Sequence, residues 1–101
     1  MIKHSVIFNF KPEIDSSRMK LFFSAADKLA DIPGVIDFRK WKQVSVKNTY
    51  QYGLTMEFDS NDELQKYIDH TTHATFINEQ WIPCVADFLE IDYEPLQESL
   101  L

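Results

Sequence analysis

The fold is decided by residues 60–81, SNDELQKYIDHTTHATFINEQW. Ser60 followed by Glu63 forms the capping-box pattern that begins a helix. The predicted inward stripe of this helix contains Leu64, Tyr67, Ile68 and Thr71. Thr71 and Thr72 predict a break, because β-branched residues whose hydroxyls compete for backbone hydrogen bonds weaken a helix. Either threonine can then cap a second helical segment that ends at Pro83, and its inward residues are Ala74, Ile77 and Trp81.

The segments around this stretch have the alternation that is typical of half-buried β-strands. The range 2–10 has an inward face of Ile2, His4, Val6, Phe8 and Phe10. The range 50–59 has an inward face of Tyr50, Tyr52, Leu54, Met56 and Phe58. A strand from Val35 to about Val46 is predicted from β propensity, and a short turn at 47–49 would join it to the next strand as an antiparallel hairpin.

The last predicted strand covers residues 84–93 and has two different faces. The face predicted to point away from the helices carries Val85, Leu89, Ile91 and Tyr93, and the other carries Cys84, Ala86, Phe88, Glu90 and Asp92. The range 15–32 is predicted to be the remaining helix, ended by Pro33-Gly34. Its inward stripe is Phe22, Ala25, Ala26, Leu29 and Ile32.

The element order is therefore βαββαβ, in a single domain spanning residues 1–101. Two right-handed crossovers fold this order into one antiparallel sheet with both helices on one face, which is the ferredoxin-like arrangement of the α+β class. The other sheet face would be left uncovered. It is apolar enough, with Ile7 beside the outward residues of the last strand, to predict a homodimer through the sheet faces.

Composition excludes several classes of protein. The net charge of the 101 residues is −6, and the basic residues are scattered, so a nucleic-acid partner is not expected. No apolar run approaches the roughly 20 residues that cross a bilayer, so a membrane partner is not expected either. The N-terminus lacks the pattern of a secretory signal, and the single cysteine, Cys84, cannot form an internal disulfide. These features predict a cytoplasmic protein.

Four motifs resemble the stress-responsive A/B barrel domain (Dabb) family. They are Ile2-Lys3-His4, Phe8-Asn9-Phe10-Lys11-Pro12, Ile32-Pro33-Gly34-Val35 and Tyr67-Ile68-Asp69-His70-Thr71-Thr72-His73. The resemblance runs from residue 2 to about residue 94 and implies a dimeric α/β barrel. It also implies cofactor-free cyclase chemistry of the kind found in one member, with Tyr67 and His73 as the catalytic pair.

The same resemblance implies the rest of a pocket between sheet and helices. His4 and His70 match histidines near that pocket, and Phe22 and Phe23 match aromatic positions that line it. Three positions depart from the family pattern: Thr71 replaces a frequent proline, Tyr52 replaces a histidine of the cyclase, and Glu90 replaces an apolar residue. The expected ligand is a small hydrophobic or aromatic molecule. We expect Phe38 and Tyr52 to line the cavity with His4, Tyr67 and His73.

The residue types suggest how such a pair would act. A histidine at the start of a helix is disfavoured as imidazolium by the helix dipole, and a neutral imidazole is what a general base requires. His73 would abstract a proton next to a carbonyl, and the Tyr67 hydroxyl would donate to the developing oxyanion. His4 would orient the ligand, and Glu90 would pair with one of the imidazole rings.

Three alternatives remain at this stage. The first is a non-catalytic structural or metabolite-binding protein, in which Tyr67 is a core residue and His73 a cap or surface residue. The second is a metal site at His70 and His73 with Glu90 or Asp92, although the helix break argues against that geometry. The third is an oxidation reaction, either with haem as cofactor or with an aromatic compound as substrate, as in related dimeric barrels. No cofactor and no metal are predicted for the favoured hypothesis.

Overall fold

The computed structural model describes all 101 residues, and its four strands form one antiparallel sheet. The strands are β1 (Ile2–Phe10), β2 (Ile36–Lys42), β3 (Tyr52–Phe58) and β4 (Val85–Tyr93). Their order across the sheet is β2-β3-β1-β4, so each helical connection crosses over one strand. This is the predicted ferredoxin-like arrangement, and it is confirmed.

The first connection begins as predicted and ends in a tighter turn. Helix α1 (Ser16–Ala26) is capped by Asp15, whose carboxylate accepts the backbone N–H of Arg18 at 2.8 Å. A 3₁₀ helix (Asp27–Asp31) continues it to the stop at Pro33-Gly34. Phe22, Ala26, Leu29 and Ile32 are buried against the sheet, which confirms most of the predicted stripe.

Strand β2 is shorter than the sequence indicated. It ends at Lys42, and Val44 and Val46 are 84% and 98% exposed. The side-chain amide of Gln43 donates to the carbonyl of Tyr50 at 2.7 Å and to the Asn48 side chain at 3.0 Å, and these bonds hold the following residues in a loop. The prediction of a strand to Val46 was wrong because β propensity cannot create a facing partner.

The helical break lies two residues earlier than predicted, at Asp69-His70. Helix α2 (Asn61–Ile68) ends before Asp69, and α3 (Thr71–Phe76) begins directly after His70. The Nδ1 atom of His70 accepts the backbone N–H of Thr72 at 3.1 Å, so His70, and not a threonine, is the N-cap.

The shifted break also changes which side chains face the sheet. Ile68 is 40% exposed and Thr71 and Ala74 are exposed, contrary to the predicted stripes, whereas Phe76 is buried. A π-helical turn (Ile77–Trp81) follows and then a short helix α4 (Ile82–Cys84), so Pro83 does not end the helical segment.

A bulge where β1 meets β4 reverses the face of one residue. Phe10 pairs with Val85, but Asn9 pairs with Asp87, so one residue of β4 has no partner. Val85 consequently joins the core at 8% exposure, and its predicted place on the uncovered face was wrong. Beyond the bulge, Phe88, Glu90 and Asp92 lie opposite inward residues of β1, as predicted.

The uncovered sheet face carries apolar side chains. Leu89 and Tyr93 are 45% and 56% exposed, and Ile7 is half-buried. Trp41, which is 47% exposed, lies beside Gly53 and Ile7, and its indole N–H donates to Thr55 at 2.7 Å. None of the helices is long and apolar enough to cross a bilayer.

Candidate functional site

A cavity of about 370 Å³ lies between the helix-facing side of the sheet and the broken second helix. Its apolar wall consists of Val6, Leu29, Leu54, Met56, Phe76, Ile77, Trp81, Ile82 and Phe88. Four polar side chains complete the lining: His4, Tyr67, His73 and Glu90. Small-molecule sites in proteins have this composition, a largely apolar pocket with a few converging polar groups.

The tyrosine and the histidine that flank the helix break are in contact. The ring centroids of Tyr67 and His73 are 4.8 Å apart at an interplanar angle of 64°. Tyr67 projects from the last turn of α2 and His73 from the first turn of α3, so the bend at residues 69–70 turns both rings inward. A continuous helix would place residues six positions apart on different faces.

The Tyr67 hydroxyl is available to a ligand. The residue is 3% exposed and packs its ring on Phe58 at 5.2 Å and on His4 at 6.1 Å, but its hydroxyl makes no hydrogen bond within the chain. Burial, with a smaller contribution from the Glu90 charge, raises the pKa of Tyr67 above its usual value. The hydroxyl therefore stays protonated and can donate a hydrogen bond.

His73 is suited to accept a proton. Burial is the main cause that lowers its pKa below 6.5, and His4 acts in the same direction. A backbone hydrogen bond with Ile68 and the charge of Glu90 oppose this shift without reversing it. The imidazole is thus neutral at pH 7, as the sequence argument required, although burial and not the helix dipole is the leading cause.

His4 is held between two carboxylates of β4. It is 5% exposed, its Nδ1 atom lies 2.5 Å from Oδ1 of Asp92, and its Nε2 atom lies 3.6 Å from Oε1 of Glu90. The pairing follows from the register, in which His4 is opposite Asp92 and two residues from the partner of Glu90. A carboxylate bound to one ring nitrogen fixes the orientation of the imidazole and of its other nitrogen.

The other residues proposed from the sequence lie outside this cavity. Phe22 is fully buried in the core, and Phe38 is half-buried against it. Phe23 and Tyr52 pack on each other at 5.4 Å and line a separate shallow pocket, and His70 serves as the helix cap. The structure therefore brings together His4, Tyr67, His73 and Glu90 and leaves these five apart.

The alternative metal site is not assembled. No group of three or more histidine, cysteine, aspartate or glutamate side chains is arranged to hold a metal ion. His70 uses Nδ1 to cap α3 and does not line the cavity with His73.

Sequence reasoning did not assign the residues of the apolar wall to a cavity. The π-helical turn carries Ile77 and Trp81 into the cavity, with the N–H of Ile82 bonded to the carbonyl of Ile77, five residues back. The guanidinium group of Arg18 in α1 stabilises this turn, because it donates a hydrogen bond of 2.6 Å to the Gln80 side chain. Inward alternation had marked many of these residues, but no sequence signal separates side chains around a void from side chains packed solid.

Comparisons with known proteins agree with this fold. Residues 2–95 match the family model of the Stress responsive A/B Barrel Domain, Dabb. The chain is 32% identical to olivetolic acid cyclase of Cannabis sativa over 79 residues, which cover 74% of this chain and 78% of the relative.

Two solved structures are also similar. One is a Dabb family protein with a ferredoxin-like fold from Mesorhizobium loti, with 40% identity, a TM-score of 0.90, and coverage of 95% of this chain and 97% of that chain. The other is a dimeric ferredoxin-like protein of unknown function from Jannaschia, with 26% identity, a TM-score of 0.76, and coverage of 93% and 98%. The chain belongs to the stress-responsive A/B barrel domain family.

Proposed function

We propose that this protein binds a small apolar or aromatic carbonyl compound in its cavity and catalyses a cofactor-free proton transfer next to the carbonyl. His73 is the general base and Tyr67 the hydrogen-bond donor to the oxyanion. One observation carries this proposal: a neutral imidazole lies against the ring of a tyrosine whose hydroxyl is unpartnered, and both line an otherwise largely apolar cavity.

The proposed step creates a positive charge on His73 and a negative charge on the carbonyl oxygen inside the cavity. His73 takes the proton from the carbon next to the carbonyl, and negative charge develops on the carbonyl oxygen. The Tyr67 hydroxyl donates to that oxygen, and its raised pKa keeps the proton on the tyrosine, so it acts as a donor without becoming ionised. The apolar wall strengthens both interactions because it lowers the effective dielectric around them.

The relative from Cannabis sativa supports the reaction class, since its name describes a cyclase of olivetolic acid. Cyclisation of a polycarbonyl chain requires an enolate, and an enolate requires this kind of proton transfer. In our proposal His4, oriented by Asp92, positions the ligand against the Tyr67 ring.

The proposal includes a homodimer formed through the uncovered sheet faces. It is supported by the exposed apolar residues Leu89, Tyr93 and Trp41 on that face. It is also supported by the description of the similar Jannaschia protein as dimeric. Sedimentation at micromolar concentration should give the mass of two chains, and a monomer would contradict this part of the proposal.

Deuterium exchange tests the proposed chemistry without knowledge of the physiological substrate. Butyrophenone is an aromatic ketone with one enolisable methylene group, and exchange of that methylene in D₂O is followed by proton NMR. We expect the wild type to accelerate exchange and His73→Gln, which keeps the side-chain volume, to lose about 10²- to 10⁴-fold, the usual contribution of a general base.

Tyr52→Phe is the matched control for Tyr67→Phe, because it removes a tyrosine hydroxyl from a residue that does not line the cavity. Exchange should survive in Tyr52→Phe and fall in Tyr67→Phe. If His73→Gln exchanges the methylene as fast as the wild type, His73 is not the base. If butyrophenone binds but never exchanges, the protein is a metabolite-binding member of the family without catalysis.

A further inference from the structure

Glu90 gives the polar end of the cavity a negative charge. It faces the cavity from β4, opposite Val6, and its side chain is 55% exposed, so the carboxylate is reached by water and by an entering ligand. Exposed carboxylates are ionised at neutral pH. The effect of this charge reaches both proposed catalytic residues, since it contributes to the raised pKa of Tyr67 and opposes the lowering at His73.

Nothing in the cavity lining offsets this charge fully. His4 is the only imidazole within 4 Å of the two carboxylates, at 3.6 Å from Glu90 and 2.5 Å from Asp92. Whether His4 is neutral or protonated, one imidazole faces two carboxylates, and the cluster stays negative. No lysine or arginine lines the cavity. Lys11 and Arg18 instead donate to the backbone carbonyls of Ile82 and Glu79.

The groups that face the ligand at this end are suited to an ammonium group. The Tyr67 side chain is 97% buried by accessible area, and its unpartnered oxygen can accept an N–H bond as well as donate one. The neutral ring of His73 provides a nitrogen acceptor beside it. An ammonium group has three donors and no acceptor, so it can satisfy these oxygens and nitrogens together with Glu90.

We propose that the cavity selects a ligand with an apolar or aromatic body and a cationic amine over a carboxylic acid of the same size. This inference rests on the proposed binding of a small molecule in the cavity and names its chemical class. The amine would lie against Glu90 and Tyr67, and the body would lie against the apolar wall that includes Trp81 and Phe88.

Three probes that differ only in their head group test the inference. They are 4-phenylbutylamine, 4-phenylbutan-1-ol and 4-phenylbutyrate, titrated by calorimetry at pH 7 and low ionic strength. A half-exposed ion pair is worth up to about 1 kcal/mol, which is about fivefold in affinity. We expect the amine to bind about fivefold more tightly than the alcohol and the acid about fivefold more weakly. Salt at about 0.5 M should narrow these differences because it screens exposed charges.

Glu90→Gln removes the charge and keeps the side-chain size, and Glu79→Gln makes the same change of net charge on the exposed side of the π-helical turn. In Glu90→Gln the amine, the alcohol and the acid should bind with similar dissociation constants. In Glu79→Gln the amine should still bind most tightly and the acid most weakly. The inference is overturned if the acid binds best to the wild type, if the order persists in Glu90→Gln, or if none of the probes binds.

The exchange assay with butyrophenone separates the two proposals. An amine preference that depends on Glu90, without any exchange of the ketone, removes the catalytic proposal and keeps this one. Exchange that depends on His73, without a preference among the three probes, removes this inference and keeps the catalytic proposal.

Discussion

Replacing Tyr67 with phenylalanine should separate stability from activity. The substitution deletes one oxygen atom from a side chain that is 3% exposed, and that oxygen has no hydrogen-bond partner in the chain. The ring contacts with Phe58, His4 and His73 remain. A typical paired hydroxyl would cost about 1 kcal/mol to lose, and an unpaired buried polar group costs about 1–3 kcal/mol to keep. Because the Tyr67 hydroxyl opens onto the cavity, we expect a change of less than about 1 kcal/mol, towards greater stability.

The same substitution should reduce ketone exchange by about 10²- to 10³-fold, the usual effect of removing one donor from an oxyanion site. Urea unfolding gives the free energy of unfolding, and proton NMR in D₂O gives the exchange rate. Tyr52→Phe provides the baseline for both measurements. A loss of more than about 1.5 kcal/mol would show that the hydroxyl holds a structural hydrogen bond, contrary to the assignment of this group to the ligand. An unchanged exchange rate would remove Tyr67 from the mechanism.

Four further predictions concern single positions. The pKa of His73 in the folded chain lies below 6.5, so the unfolded chain binds a proton at this residue more readily. The Tm should therefore fall as the pH drops through about 6.5. In a calorimetric series over pH, His73→Gln should show a smaller fall in Tm than the wild type. His70→Ala removes the N-cap bond of 3.1 Å and should cost about 1 kcal/mol in urea unfolding, and His70→Asn should restore most of it. Gly34→Ala should cost at least about 1 kcal/mol, because φ is +94° and the added Cβ would lie 2.6 Å from Oε2 of Glu63; an unchanged unfolding midpoint would contradict this. Leu89→Glu should shift the proposed dimer to a monomer in sedimentation, and a stable dimer would place the interface elsewhere.

Local patterns predicted the sheet well where one face is buried and one is not. In β1 every second residue from Ile2 to Phe10 is buried, and β3 has the same alternation from Leu54 to Phe58. The errors lie where the local preference of the sequence was overridden by strand pairing or by side-chain hydrogen bonds. Val44 and Val46 favour a strand but have no partner, and Val85 is turned inward by a bulge that depends on pairing with Phe10.

The candidate site was predicted in part for the same reason. Tyr67 and His73 were identified as a pair from the resemblance to the family, and the structure places their rings 4.8 Å apart. The cap itself was assigned to threonine, because a histidine nitrogen is a less common cap than a hydroxyl oxygen. Phe23 and Tyr52 were placed in the pocket, but their rings pack on the other side of Phe8 and Phe10, around a different depression.

The sequence by itself determined the order of strands and helices, the side of most strand residues that faces the helices, and the presence of a break in the second helical connection. These follow from periods of two and 3.6 residues, which are properties of short segments. Only the tertiary structure decided that a cavity exists, that His4 lies between Glu90 and Asp92, and that His73 is neutral through burial. Those features depend on the pairing of β1 with β4 and on the volume that helix packing leaves unfilled, and neither is a property of any single segment.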